Sequence, residues 1–175
     1  YVTVTGSDTA SYSVDLPAQG GNTFSSFLLY VVDQDTGVVV TDVVLSVDAG
    51  SGTDSGTDSG TDSGTDSGTD SGTASDAAEF SEAFGGATIG EGSLFTFPSG
   101  SETWAGFANM NTSLYPISIS SAGSLTFNAS VPSGVSADVY FRFEKNPHPD
   151  VEPSFNTAYV TVTGSDTASY SVDLP

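Results

Sequence analysis

Residues 138–144 read Asp-Val-Tyr-Phe-Arg-Phe-Glu, and these seven positions decide the class of fold. Successive side chains of a strand point to opposite faces, so Val139, Phe141 and Phe143 share one side while Tyr140, Arg142 and Glu144 share the other. The Phe side belongs in a core. Working outward, the same alternation runs through SLTFNASV at 124–131, PISIS at 116–120 and LFTF at 94–97, which Pro98 ends. Towards the N-terminus, Tyr12, Val14 and Leu16 alternate with small polar residues. The run FSSFLLYVV at 24–32 is denser and suits a strand buried on both faces; residues 38–47 are rich in β-branched side chains, with Asp42 in their midst. EFSEAF at 79–84 suits one helical turn or a bent strand. Turn residues punctuate these runs at short intervals and helix signals are nearly absent. The expectation is an all-β, antiparallel β-sandwich of jelly-roll type, its core including Phe27, Leu29, Phe95, Phe97, Phe127, Phe141 and Phe143.

The chain also repeats itself. YVTVTGSDTASYSVDLP occurs at residues 1–17 and again at 159–175, identical at all 17 positions. Its two alternating halves flank Gly6-Ser7-Asp8 and read as a hairpin or two consecutive strands. Such identity at a fixed offset is the signature of a repeat-built protein. Between the copies, residues 51–73 are SGTD repeats ending in SGT. This tract has no apolar surface to bury against its own ordering entropy, and reads as a low-complexity acidic linker. The expected organisation is residues 1–49 as the C-terminal part of one sandwich module, 50–75 as linker, and 76–175 as the N-terminal part of the next copy. Short connections usually join spatial neighbours, which favours that division. The alternative is that residues 1–49 fold back across the linker and complete the module begun at Asp76.

Composition narrows the partners. Lys plus Arg number 2 against 22 Asp plus Glu, for a net charge of −20. Such a surface repels nucleic acid and anionic membranes, so neither is expected as a partner. Cysteine is absent, which removes disulfides and thiolate chemistry. No apolar run is long enough for a membrane-spanning helix.

FGGATIGEGSLFTFPSG, WAGFANMN and NTFSSFLLYVVDQD resemble the accessory β-sandwich modules of secreted marine-bacterial polysaccharide-degrading enzymes of laminarinase-like type. Those modules often sit between acidic linkers rich in Ser, Gly, Thr and Asp, as 51–73 is here. The resemblance implies a non-catalytic, carbohydrate-binding or spacer role outside the cell. A tandem copy departs from the usual single accessory module and points to surface fibres and adhesins.

Candidate sites are few. Arg142, Lys145 and His148 are all the basic side chains of the chain, concentrated within seven residues. One reading is charge balance, with Arg142 paired to a carboxylate. A second is a sugar site in which Arg142 and Glu144 hydrogen-bond hydroxyls while Tyr140 or Trp104 stacks on a ring face. A third is an interface in which Arg142 or Lys145 meets an acidic patch on the next copy. Trp104, the sole tryptophan, is either partly buried core, the commoner use of a lone Trp, or such a platform. His148 has no second His or Cys for zinc. A structural Ca²⁺ is the one cofactor candidate, with Asp42, Asp48, Glu79 and Glu82 as ligands. The hydroxyls of Ser51, Thr53, Ser55, Thr57, Ser59, Thr61, Ser63, Thr65, Ser67 and Thr69 are candidate O-glycosylation sites. No nucleophile elbow, phosphate loop or dinucleotide fingerprint occurs, and no enzyme is expected. The expected function is a non-catalytic tandem-repeat module of an extracellular or cell-surface fibre or adhesin. Its partners would be further copies of itself and polysaccharide. The alternative is a carbohydrate-binding accessory module of a secreted hydrolase.

Overall fold

The computed structural model describes residues 9–46, 77–149 and 151–164. In chain order the strands are β1 (Ala10–Leu16), β2 (Thr23–Phe24), β3 (Ser26–Val31), β4 (Gly37–Ser46), β5 (Glu82–Phe84), β6 (Thr88–Gly90), β7 (Leu94–Thr96), β8 (Gly106–Ala108), β9 (Ile117–Ser118), β10 (Gly123–Ser130), β11 (Ser136–Glu144), β12 (Phe155–Asn156) and β13 (Val160–Thr163). A 3-10 turn at Thr112–Leu114 is the one helical element among the described residues. The first sheet runs β1-β10-β4-β7-β6, and the second runs β12-β11-β3-β8-β5 with β13 also on β11. Every strand pairing is antiparallel, including the small β2-β9 ribbon. The fold is the expected all-β antiparallel sandwich. Residues 79–81 lead as irregular chain into β5, which is the whole of Glu82–Phe84, rather than forming a helical turn.

The core follows from the alternation. Val139, Phe141 and Phe143 of β11 are fully buried, as are Phe27 and Leu29 on β3 and Leu125 and Phe127 on β10. Phe127 and Phe141 meet across the two sheets edge to face at 5.1 Å, and Phe95 meets Phe107 likewise at 4.9 Å. Each fully buried side chain of this size contributes about 1.5–3 kcal/mol relative to exposure. Of the expected core only Phe97 is partly buried, packed at the margin.

Asp42 shows how β4 keeps its valines inside. Val38 and Val40 face the core, but so does Val43, an odd step along the strand. The register between β4 and β10 shifts between Thr126 and Asn128, so Asp42 and Val43 together oppose Phe127. This is a bulge, and Asp42 takes the left-handed conformation it needs, φ 51°. Its carboxylate accepts from the Asn128 side-chain amide at 2.8 Å and the Thr41 hydroxyl at 3.1 Å.

The division of the chain differs from the expectation of two part-modules. β1 and β4 flank β10, and β3 lies beside β11 over six paired residues. Residues 9–46 and 77–163 therefore build the same two sheets, in the fold-back manner. The Val38, Val40 and Val43 face and the Phe27 and Leu29 face each need a covering layer, and the strands after residue 77 supply it. β13 meanwhile pairs with β11, as the short connection from the module's own strands led one to expect. The first copy's residues 1–8, the linker 50–75 and the last residues 165–175 all lie outside the described residues.

Candidate functional site

The outward face of the second sheet carries an aromatic row. The register aligns Phe84 of β5 with Gly106 of β8, and Tyr30 of β3 with Tyr140 of β11. Leu28 opposite Ala108 carries Gly106 to the side of Tyr30, and Val139 opposite Val160 carries Tyr140 to the side of Tyr159. The rings touch in sequence. Trp104 lies parallel to Phe84 at 6.2 Å, Phe84 meets Tyr30 edge-on at 6.1 Å, Tyr30 stacks on Tyr140 at 4.9 Å, and Tyr140 meets Tyr159 edge-on at 5.1 Å. At the usual strand spacing the row from Phe84 to Tyr159 spans about 19 Å. Gly106 makes it continuous: a Cβ there would stand 2.7 Å from Tyr30 Cε1 and 2.9 Å from Phe84 Cζ. The two rings close over the strand because that position has no side chain.

Beside the row lies a groove of about 670 Å³, floored by Leu28, Tyr30 and Ala108 and walled by Phe84, Trp104, Met110, Pro147 and His148, with Ser26, Glu82 and Glu144 as its carboxylate and hydroxyl groups. Trp104 is 58% exposed and Met110 54%, although both are large and apolar. Glu144 is buried, held by the Ser26 hydroxyl at 3.1 Å and by Arg142 Nε at 2.9 Å. Arg142 also donates through Nη1 to the Asn156 side-chain oxygen at 2.8 Å. The guanidinium is thereby fixed as a planar donor alongside the aromatic row. Burial pushes the Tyr140 hydroxyl above the usual tyrosine range, Tyr159 adds to that, and Arg142 opposes it. Tyr140 therefore presents a neutral hydroxyl able to donate and accept.

Of the residues expected for sugar binding, Trp104 and Glu144 line the groove, Tyr140 lies in the adjoining row, and Arg142 ties Glu144 in place. Among the described residues Arg142 pairs with the carboxylate of Glu144 on its own strand. Trp104 is not core: its exposure sets it apart from the commoner use of a lone tryptophan. Tyr30, Phe84, Tyr159, Leu28 and Met110 were not singled out by the sequence. The alternation within residues 26–30 puts Leu28 and Tyr30 on the outer face, but in a run this apolar that signal is masked by Phe27 and Leu29 beside them. Among the described residues no group of three or more His, Asp or Glu side chains gathers as a metal site. Asp42 is engaged in the β4 bulge, Glu82 borders the groove, and the Glu79 carbonyl accepts from the Asn109 amide at 2.7 Å. Asp48 and the hydroxyls of 51–69 lie outside the described residues. No helix among the described residues is long and apolar enough to cross a membrane.

Comparison with family models, curated proteins and solved structures returns no match in any of the three.

Proposed function

We propose that this chain is a non-catalytic, glycan-binding β-sandwich module of a secreted, repeat-built extracellular or cell-surface protein. The observation that carries the reading is the outward-facing aromatic row from Trp104 to Tyr159, exposed at its two ends and half-buried between, beside a groove with fixed carboxylate and guanidinium groups. A sugar ring offers an apolar C–H face and a rim of hydroxyls. Flat aromatic side chains match the face, while Glu144, Glu82 and the Tyr140 hydroxyl match the rim. The elongated row favours a polysaccharide over a single sugar. The strongly acidic surface favours a neutral glycan over an anionic one.

Trp104, the sole tryptophan, reports on its own site. Adding neutral β-linked glucans and related polysaccharides is expected to change its emission with saturating dependence. Trp104→Ala is expected to lower affinity at least ~10-fold by affinity electrophoresis. Unaltered emission with every neutral polysaccharide tried would sink the reading. A second reading, a spacer in a fibre or adhesin, rests on the identical 17-residue ends. It is separated from the first by the same titration, since a pure spacer leaves Trp104 silent.

A further inference from the structure

One 17-residue sequence stands at residues 1–17 and again at 159–175, and the described residues draw on both copies. The described structure contains residues 159–164 of the second copy and 9–17 of the first. These are the opening six and the closing nine positions of the same sequence. β13 comes from one copy and β1 from the other.

Both strands meet at one corner of the sandwich, where residues 131–135 carry the chain from β10 in the first sheet to β11 in the second. β13 ends there: the Gly164 N–H donates to the Val135 carbonyl at 2.9 Å, and the Gly134 N–H donates to the Gly164 carbonyl at 2.9 Å. A Cβ on Gly164 would stand 2.8 Å from the Pro132 carbonyl carbon, so the chain passes flush against the corner. β1 begins at the same corner, Ala10 being paired with Ala129. The Tyr12 hydroxyl accepts the Thr163 N–H at 3.3 Å. Between Gly164 and the second copy's counterpart of Thr9 the sequence has only Ser165 and Asp166. β13 is antiparallel to β11 and β1 is antiparallel to β10. A chain leaving β13 therefore arrives at the start of the β1 position already heading along it.

We infer that the outer edge of β10 is a strand-acceptor site for which two segments of the same chain compete, Ala10–Leu16 and residues 168–174. The two are identical in sequence, so either makes the same seven-residue register with 123–129 and fills the positions of Tyr12, Val14 and Leu16 in the core. The ladder and the burial cannot discriminate between them; only the connections differ. Ala10–Leu16 is tethered at its C-terminal end through residues 17–22 to β2. Residues 168–174 are tethered at their N-terminal end to β13 by the four residues 164–167, which gives them a high effective concentration at the site. Occupation by the second copy frees the first from the sandwich with its strand sequence intact. The site thus exchanges one end of the chain for the other without loss of core.

The chain has no cysteine, so introduced pairs are unambiguous. Ser11 and Asn128 are directly opposed and face outward, and Ser169 is the counterpart of Ser11. Two full-length variants, Ser11→Cys with Asn128→Cys and Ser169→Cys with Asn128→Cys, are oxidised mildly and followed by non-reducing electrophoresis and peptide mass mapping. Both are expected to form an intrachain disulfide in high yield. Cross-linking of the first pair alone would overturn the exchange. Cross-linking of the second only between chains would place the donor in a second copy and overturn the same-chain assignment. Melting gives an independent readout. Leu16→Asp and Leu174→Asp are each expected to melt close to the parent, whereas the double variant loses about 10 °C or more or does not fold. Leu16→Asp matching the double variant, with Leu174→Asp silent, would equally overturn it.

Discussion

The two outward faces of this sandwich are built by the same rule and come out unlike. On the first sheet, Ser11, Ser13, Thr41, Thr126 and Asn128 face outward; the Ser11 hydroxyl donates to the Asn128 side-chain oxygen at 2.5 Å, and Asn128 and Thr41 both donate to Asp42. On the second sheet the outward positions hold Leu28, Tyr30, Phe84 and Tyr140, with Trp104 beyond them. An antiparallel sheet needs only one apolar face to fold, and the other can be solvated. The first sheet meets that minimum. The second carries a further aromatic face that the core does not require, and this excess marks the face as a place for a ligand.

The largest test of that contrast lies beneath both faces. Phe141 is fully buried and touches Phe27, Phe80 and Phe127. Phe141→Ala is expected to cost about 3–5 kcal/mol in denaturant unfolding. A loss below ~1 kcal/mol would mean the two sheets do not share this core. A smaller effect separates the faces themselves. Gly106→Ala forces the Tyr30 and Phe84 rings apart and is expected to cost about 1–3 kcal/mol, with weaker polysaccharide binding. Ser13→Ala, on the opposite face, is expected to stay within about 0.5 kcal/mol and leave binding unchanged. Equal effects of the two substitutions would erase the distinction drawn here.

A more modest loss is expected at the loop after β8, where Tyr115 ties Asn109 to Phe27. The Tyr115 hydroxyl donates to the Asn109 carbonyl at 2.9 Å and accepts the Phe27 N–H at 3.1 Å. Burial raises its pKa to about 12 from 10.0, and the Phe27 N–H partly opposes that. The folded state holds this proton more tightly than the unfolded chain. Its contribution is therefore complete below pH 10 and is lost as pH rises through about 12. Tyr115→Phe is expected to cost about 1 kcal/mol at neutral pH and to flatten the alkaline limb of the stability curve. An alkaline limb identical in both proteins would assign the loss to other groups.

Much of this was legible locally. The alternation in 138–144 and 124–131 placed Phe141, Phe143 and Phe127 inward without reference to any other strand, and set Tyr140, Arg142 and Glu144 together on the outside. The pairing of Arg142 with Glu144 is a consequence of that shared side, two residues apart on one strand. Trp104 and Tyr140 stood out as candidate platforms, but the row that joins them to Tyr30, Phe84 and Tyr159 was not legible, because its five members lie in five separate segments of the chain.

What the sequence by itself determined is therefore the layering: period-two alternation is a property of neighbours along the chain, and burial follows from it one strand at a time. What only the tertiary structure decided is register and partnership. Whether Tyr30 lies beside Tyr140, whether Gly106 leaves room for two rings, and which of two identical strands lies on β10 depend on pairings between residues far apart in the chain. A shift of one residue in any of those pairings would turn a strand's core side to solvent. The hydrophobic cost of that shift selects the register, and the register in turn assembles the row.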